Sequence, residues 1–467
     1  MTKEHITNPM QNKRIRHALI IMVLGTFFGI LCSTLMNIAL PTFMQVFNIS
    51  EAHVQWVING YMLVNALMIP VSSYLIKRFS FRWLFIFFCG VFLVGTVIGA
   101  TAPNFNMVVI ARMIQAIGAG MMMPLVNVLA IRYADPGKKG RIMGIIGLAF
   151  NCAPIFGPVL SGILLNYFSW RYLFILIIPF LAIVLVLSFI FLPYIPHNES
   201  PRFNTTGLVT ITIGLWSLLM GLSNVSANRL VSFNVCGYVL TGLAFLVLFY
   251  FTQRHSDHQL INLSIFHHKQ FVLATTINML ITATMYGNTI LIPLLVQIVL
   301  GKSTIISAMT VLPGACLTGL LSTTSGRFYD IYPIRVLVGT GLIIDIIGTL
   351  GQAMIGANSS VLIITIFQTV RQFGLVTMLI PLQTQALSLL PNEIVPDAVA
   401  SFNTFRQIAA SFGTALIVAM VGIVNGIIHN SSSHLGIQAG FLLCLLLLII
   451  SLILSRQLYH KIEHPAH

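Results

Sequence analysis

Charge is what this 467-residue sequence has least of. Only 7% of its residues are Asp, Glu, Lys or Arg, against about a quarter in a typical soluble domain. The ten acids are outnumbered by 24 Lys and Arg. Long polar segments are missing too: the longest runs from Gln253 to Gln270. That excludes an extramembranous catalytic domain. No HExxH, GxSxG or pair of intramembrane aspartates is present, so no constellation for an enzyme within a bilayer is found. The six cysteines (Cys32, Cys89, Cys152, Cys236, Cys316, Cys444) show no CxxC spacing and sit in apolar segments. They read as small packing residues, with no metal site and no disulfide framework. Most of the 13 histidines fall in loops and tails, where solvated side chains are the ordinary reading. No metal ligand set, cofactor or catalytic residue is expected.

What remains is apolar: 57% of the residues are hydrophobic. A helix needs about 20 apolar residues to cross a bilayer. Runs of that length fall at 17–40, 52–76, 82–101, 105–132, 140–166, 170–194, 205–224, 230–251, 271–299, 304–326, 335–356, 359–389, 398–426 and 435–458. The first is too long and unpunctuated for a removable signal peptide. The expected fold class is an all-α polytopic membrane protein with fourteen transmembrane helices.

Cations in loops orient such a chain. With the N-terminus placed inside, only Arg171, Arg229 and Lys302 fall to outer loops, and Arg112, Arg371 and Arg406 fall within spans. The other eighteen lie on the inner side. That bias predicts both termini in the cytoplasm. It also accounts for the net charge of +14 without a nucleic acid partner. The two short basic turns KRFSFR (77–82) and GRFYDIYPIR (326–335) suggest related halves. The organisation read from this is a cytoplasmic tail (1–16), an N-terminal six-helix bundle (17–194), an inserted helix pair (195–254), a cytoplasmic linker (255–270), a C-terminal six-helix bundle (271–458) and a second tail (459–467).

One stretch is unlike a lipid-facing helix. GIIGLAFNCAPIFGPVLSG (144–162) carries Gly144, Gly147, Gly157 and Gly162 with Pro154 and Pro158. Glycine costs about 1 kcal/mol and proline about 3 kcal/mol against alanine in a helix interior. Membrane helices tolerate them where a neighbour approaches closely or a bend is needed. This helix is expected to act as a packed conformational element.

Several motifs, in chain order, resemble the major facilitator superfamily and its fourteen-helix drug:proton antiporter branch. They are LCSTLMNIALP (31–41), QWVINGYMLVNALMIP (55–70), RMIQAIGAG (112–120), the 144–162 stretch, WRYLF (170–174), IPLLVQIVLG (292–301), LPG (312–314), GRFYD (326–330) and SFNTFRQIAASFG (401–413). The resemblance implies a two-bundle fold of six, two and six helices, alternating access, and export of hydrophobic or amphiphilic small molecules against protons. It implies a bacterial plasma-membrane location, lipid contacts and a monomer. It marks Arg78, Arg82, Gly144, Gly157, Pro158, Gly162, Gly326, Arg327 and Asp330 as conformational motif residues, and links Arg112 to proton transfer. In two places the chain departs from the pattern. Cys32 stands where the family's first-span motif carries an acid. Lys77 and Ser80 stand where its inner loop carries aspartate and glycine. A flippase for a lipid or lipid precursor fits the same apolar interior. A non-transporting membrane sensor or scaffold would need a soluble domain that the sequence lacks.

A buried charge at mid-span costs at least about 2.5–3.5 kcal/mol, so each marks a functional position. Nine of the ten acids lie in loops, tails or span ends, and Asp345 does not. It sits roughly ten residues into its span, ~15 Å deep at 1.5 Å per residue. Arg371 and Arg406 convert to a similar depth, and either would pair with Asp345. Two roles stay open for Asp345: a structural ion pair, or a proton exchanged during transport. Burial and a neighbouring arginine pull a carboxylate's proton affinity in opposite directions. For Arg112 the alternatives are an arginine satisfied by Gln115, Asn37, Asn151 and backbone carbonyls, or one that couples protonation or holds an anionic group. Candidate cavity residues are Asn37, Tyr61, Asn151, Asn278, Tyr286, Gln372, Gln383 and Asn403. With three interior arginines against one aspartate, the expected substrates are neutral, zwitterionic or anionic amphiphiles.

Overall fold

The computed structural model describes residues 9–49, 51–54, 56–133, 138–194, 204–224, 233–254, 256, 259, 263–302, 304–356, 359–428 and 434–458. Among them every regular element is helical. The long helices are α1 (Pro9–Ile38), α2 (Trp56–Arg78), α3 (Phe81–Ala100), α4 (Phe105–Tyr133), α5 (Lys139–Tyr167), α6 (Ile177–Phe191), α7 (Thr205–Asn224), α8 (Phe233–Arg254), α9 (Lys269–Pro293), α10 (Thr304–Ile331), α11 (Ile334–Ala353), α12 (Val361–Ser388), α13 (Val395–Ile428) and α14 (His434–Ser455). Among the described residues, twelve are long and apolar enough to cross a membrane, α6 together with the preceding turn Tyr172–Ile175. The remaining two expected spans coincide with α5, of 29 residues, and α7, of 20.

Local chemistry sets the ends. Pro41 lies in the first turn of a short helix, Leu40–Phe47, that follows the break at Ala39 after α1. Asn48 closes it in a left-handed conformation at φ 50°, which asparagine tolerates better than most residues. Ser80, in the place of the family's glycine, caps α3: its hydroxyl accepts from the Trp83 amide at 3.5 Å. Ser360 does the same for α12 from the Leu362 amide at 3.2 Å. After Pro293 the backbone widens into a π-helical turn, Leu294–Val299, a form that recurs at functional positions of helices.

Two compact units divide the chain. The first is Met1–Ala134 with Cys152–Phe203, and the second is Asp135–Asn151 with Asn204–His467. In the first, α4 is the central element: it packs on α1, α2 and α3. Its Arg112, Gln115 and Asn127 are all at or below 1% exposure. In the second, α9 packs on α12, α13 and α14, while α11 packs on α12 and α14. The pair α7 and α8 pack mainly on each other, with α7 also touching α13. Helix α5 divides at Asn151 and Cys152, its start in the second unit and the remainder in the first.

Candidate functional site

In the second unit, glycines decide which charges meet. A Cβ on Gly374 would lie 2.6 Å from the Gly341 carbonyl oxygen, and one on Gly348 would lie 2.8 Å from the Arg371 Cβ. Only hydrogen fits at these points, so α11 and α12 run backbone against backbone. Across that seam the Arg371 Nε meets Asp345 Oδ1 at 3.2 Å, with 1% and 0% of the two side chains exposed. The ion pair is with Arg371. Arg406 is half-buried on α13.

Polar residues extend the pair along one helical face. Thr349, four residues beyond Asp345, donates to Asp345 Oδ1 at 3.3 Å. Its oxygen also accepts from Arg371 Nε at 3.3 Å. Arg371 Nη2 reaches Thr284 Oγ1 on α9 at 3.5 Å. One turn on, Gln352 Nε2 donates to Gln368 Oε1 at 2.7 Å, and its own Oε1 accepts from Asn288 Nδ2 at 2.8 Å. All seven side chains are buried. Asp345 Oδ2 has no hydrogen-bond partner among the described residues. A buried acceptor left unmade costs about 1–3 kcal/mol, more when charged. This oxygen is therefore the place where an added proton meets least competition.

The first unit holds a cation with different company. Arg112 donates through Nη1 to Gln115 Oε1 at 2.8 Å and through Nε to the Val57 carbonyl at 3.5 Å. Its guanidinium carbon stands 4.0 Å from the centre of the Tyr61 ring, a cation–π contact. Gln115 Nε2 donates to Thr96 Oγ1 at 2.9 Å and contacts Cys32 Sγ at 3.5 Å. Among the described residues every partner is neutral. On the same helix Asn127 is fully buried, with neither amide atom bonded among the described residues.

A third cluster joins the start of α5 to the ends of α10 and α12. The Asp330 carboxylate accepts from the Gly140 amide at 2.9 Å and the Arg141 amide at 2.8 Å. It thus caps the positive end of α5. Gly326 and Gly140 meet at their backbones, and a Cβ on Gly144 would come within 2.7 Å of the Ser322 carbonyl. Lys139 Nζ reaches the Ser388 carbonyl at 3.3 Å, and Tyr329 donates to Gln385 Oε1 at 3.0 Å. Arg327 is exposed.

The other expected residues are dispersed. Gly157 does pack: a Cβ there would run into Thr34 of α1. Gly162 does not, for nothing lies within 4 Å of its would-be Cβ. Arg82 Nη2 bonds the Phe189 carbonyl at 2.6 Å, and Arg78 lies 5.9 Å from the Phe79 ring. Tyr286 is 37% exposed on α9. Asn278 accepts from Thr282 at 3.4 Å, and Asn403 turns its amide to the Val399 carbonyl at 2.9 Å on its own helix. Gln372 packs where a Cβ on Gly314 would lie, and Gln383 is half-buried. The side chains of Asn37, Asn151 and Pro158 lie outside the described residues. Thr284, Thr349 and Gln352 are uncharged residues in apolar runs, which hydropathy and charge do not mark. Their signal is spacing: 345, 349 and 352 share one helical face.

Long apolar helices with charges buried at mid-span define a polytopic membrane protein of the transporter kind. The Major Facilitator Superfamily profile matches residues 22–414, and the chain belongs to that superfamily. It is 32% identical over 452 residues to the MFS-type transporter YcnB of Bacillus subtilis (strain 168), covering 96% of this chain and 95% of that protein. It is 30% identical over 399 residues to the lincomycin resistance protein LmrB of Listeria innocua, covering 85% of each. Among solved structures, the human organic anion transporter MFSD10 superposes with a TM-score of 0.71 over 94% of this chain and 99% of that one. At 14% identity, that likeness speaks to the fold alone.

Proposed function

We propose that the protein is a proton-coupled exporter of hydrophobic or amphiphilic small molecules, drugs among them, working as a monomer by alternating access in a bacterial plasma membrane with both termini in the cytoplasm. The similarity to a lincomycin resistance protein supports the substrate class. One observation carries the coupling: Asp345 is fully buried, ion-paired through Oδ1 and unbonded at Oδ2. When Oδ2 takes a proton, the carboxylate loses its charge and Arg371 loses its counter-ion. Because the pair lies on the seam between α11 and α12, that change alters what holds the two helices together. The same seam is remade when the proton leaves. Among the described residues Arg112 has only neutral partners, so the proton falls to Asp345. The Asp330 cap and the glycines around Gly144 hold one end of the second unit and are released and remade in each cycle.

The test is reconstitution in proteoliposomes with a pH-sensitive dye and lincomycin as probe. Lincomycin movement with opposing proton flux is expected. Proton-independent movement of lipid reporters, with no response to lincomycin, would favour a flippase and overturn the reading.

A further inference from the structure

We infer that the compounds this protein accepts include, beside basic ones of the lincomycin kind, amphiphiles with an anionic group held by Arg112, and that the thiol at position 32 leaves Arg112 free to hold it. This rests on the exporter reading and specifies a chemical class among its substrates.

Counting charges comes first. The first unit contains three acids, Glu4, Glu51 and Glu199. None of the three lies in that unit's described spans, Glu51 opening the short helix Glu51–Val54, so those spans offer Arg112 no carboxylate. The second unit shows what a satisfied mid-span arginine looks like: Arg371 has Asp345 at 3.2 Å. Arg112 is as deeply buried, with 1% of it exposed. Its partners are an amide oxygen, a carbonyl and an aromatic face. These dipoles disperse the charge without neutralising it, and a charge held this way stays costly inside a membrane. A ligand bringing a carboxylate, phosphate or sulfonate supplies the missing counter-ion, and a planar guanidinium fork matches such groups.

Geometry locates the exchange. Among the described residues the Val57 hydrogen bond, at 3.5 Å, is the longer of the two Arg112 donates, and it is the one an anion most readily replaces. Tyr61, 8% exposed and 4.0 Å from the guanidinium, provides an apolar face for the body of an amphiphile.

Position 32 controls whether that counter-ion is needed. Gln115 touches Arg112 through Oε1 and Cys32 through Nε2. One side chain therefore separates the thiol from the guanidinium. An acid at 32 would sit against the same amide and compensate Arg112 from within the protein. A thiol does not.

The test uses purified full-length protein in nanodiscs and two permanently charged probes of equal chain length, decanesulfonate and decyltrimethylammonium, with binding read by calorimetry. The wild type is expected to bind decanesulfonate at least about tenfold more tightly, the effect of one charge-assisted hydrogen bond. Cys32→Asp should cancel that preference, and Cys32→Ser should keep it. Arg112→Gln should abolish it, and Arg112→Lys should retain part of it. A wild-type preference for the cation overturns the inference, with no variant required. So does a well-folded Cys32→Asp protein with unchanged anion preference. Should Cys32→Asp not fold, the pair Arg112→Gln and Arg112→Lys decides: equal decanesulfonate binding by both and by wild type overturns it. Binding needs no proton flux, so a failed exporter reading and a failed anion site give different results.

Discussion

Arg112 and Arg371 are both 1% exposed in the middle of apolar helices, yet their surroundings differ in kind. Arg371 faces a carboxylate across a seam that glycines hold shut. Arg112 faces one amide, a carbonyl and a ring. The first arrangement is closed within the protein and can be switched only by something that changes Asp345, and a proton is the smallest such agent. The second is open in charge and is completed from outside. On the function proposed above, one unit registers protons and the other registers ligand.

The largest effects should come from breaking the closed pair. Removing one partner of a buried ion pair costs about 3–5 kcal/mol because the other charge is stranded. Arg371→Gln in an Asp345→Asn background removes both charges, so the double variant should be more stable than Arg371→Gln alone, read as the melting temperature of detergent-purified protein. A double variant no more stable than that single one would mean that the pair is not coupled.

Next comes the seam. Gly374→Val forces a branched side chain against the α11 backbone, where even a Cβ would lie 2.7 Å from the Asp345 nitrogen. Overpacking of this kind costs about 1–3 kcal/mol. Thermal unfolding should show the loss, and proton-driven lincomycin uptake into inverted vesicles should fall with it. A smaller effect is expected at Asp330→Asn, which weakens the charged cap on α5 by about 0.3–1 kcal/mol while retaining one acceptor. Hydrogen exchange of the Gly140 and Arg141 amides should quicken. Unchanged exchange would remove Asp330 from the conformational motif.

The smallest contrast lies within α5. Gly162→Ala should be neutral within about 0.5 kcal/mol, as for surface changes, because nothing lies within 4 Å. Gly157→Ala should destabilise through its clash with Thr34. Equal melting temperatures for the two would contradict the packing described here.

Much of this was legible in the sequence, and what was not has physical reasons. Hydropathy marked the spans because a bilayer demands long apolar helices. Depth singled out Asp345 because a mid-span acid is rare. The choice between Arg371 and Arg406 was not legible: it depends on Gly341, Gly348 and Gly374 seating α11 on α12, and glycines in a membrane helix do not name their neighbours. For the same reason Gly157 and Gly162 looked alike in composition, though only one packs. Gln352 was missed because an uncharged amide carries no depth signal. Its role shows only when Gln368 and Asn288 arrive from other helices.

The most direct test of the central claim is coupled flux through Asp345→Asn in proteoliposomes, with lincomycin counterflow measured alongside pH-gradient-driven transport. The account predicts that counterflow persists while gradient-driven accumulation and the associated proton movement are lost. Gradient-driven accumulation equal to wild type in the variant would contradict it.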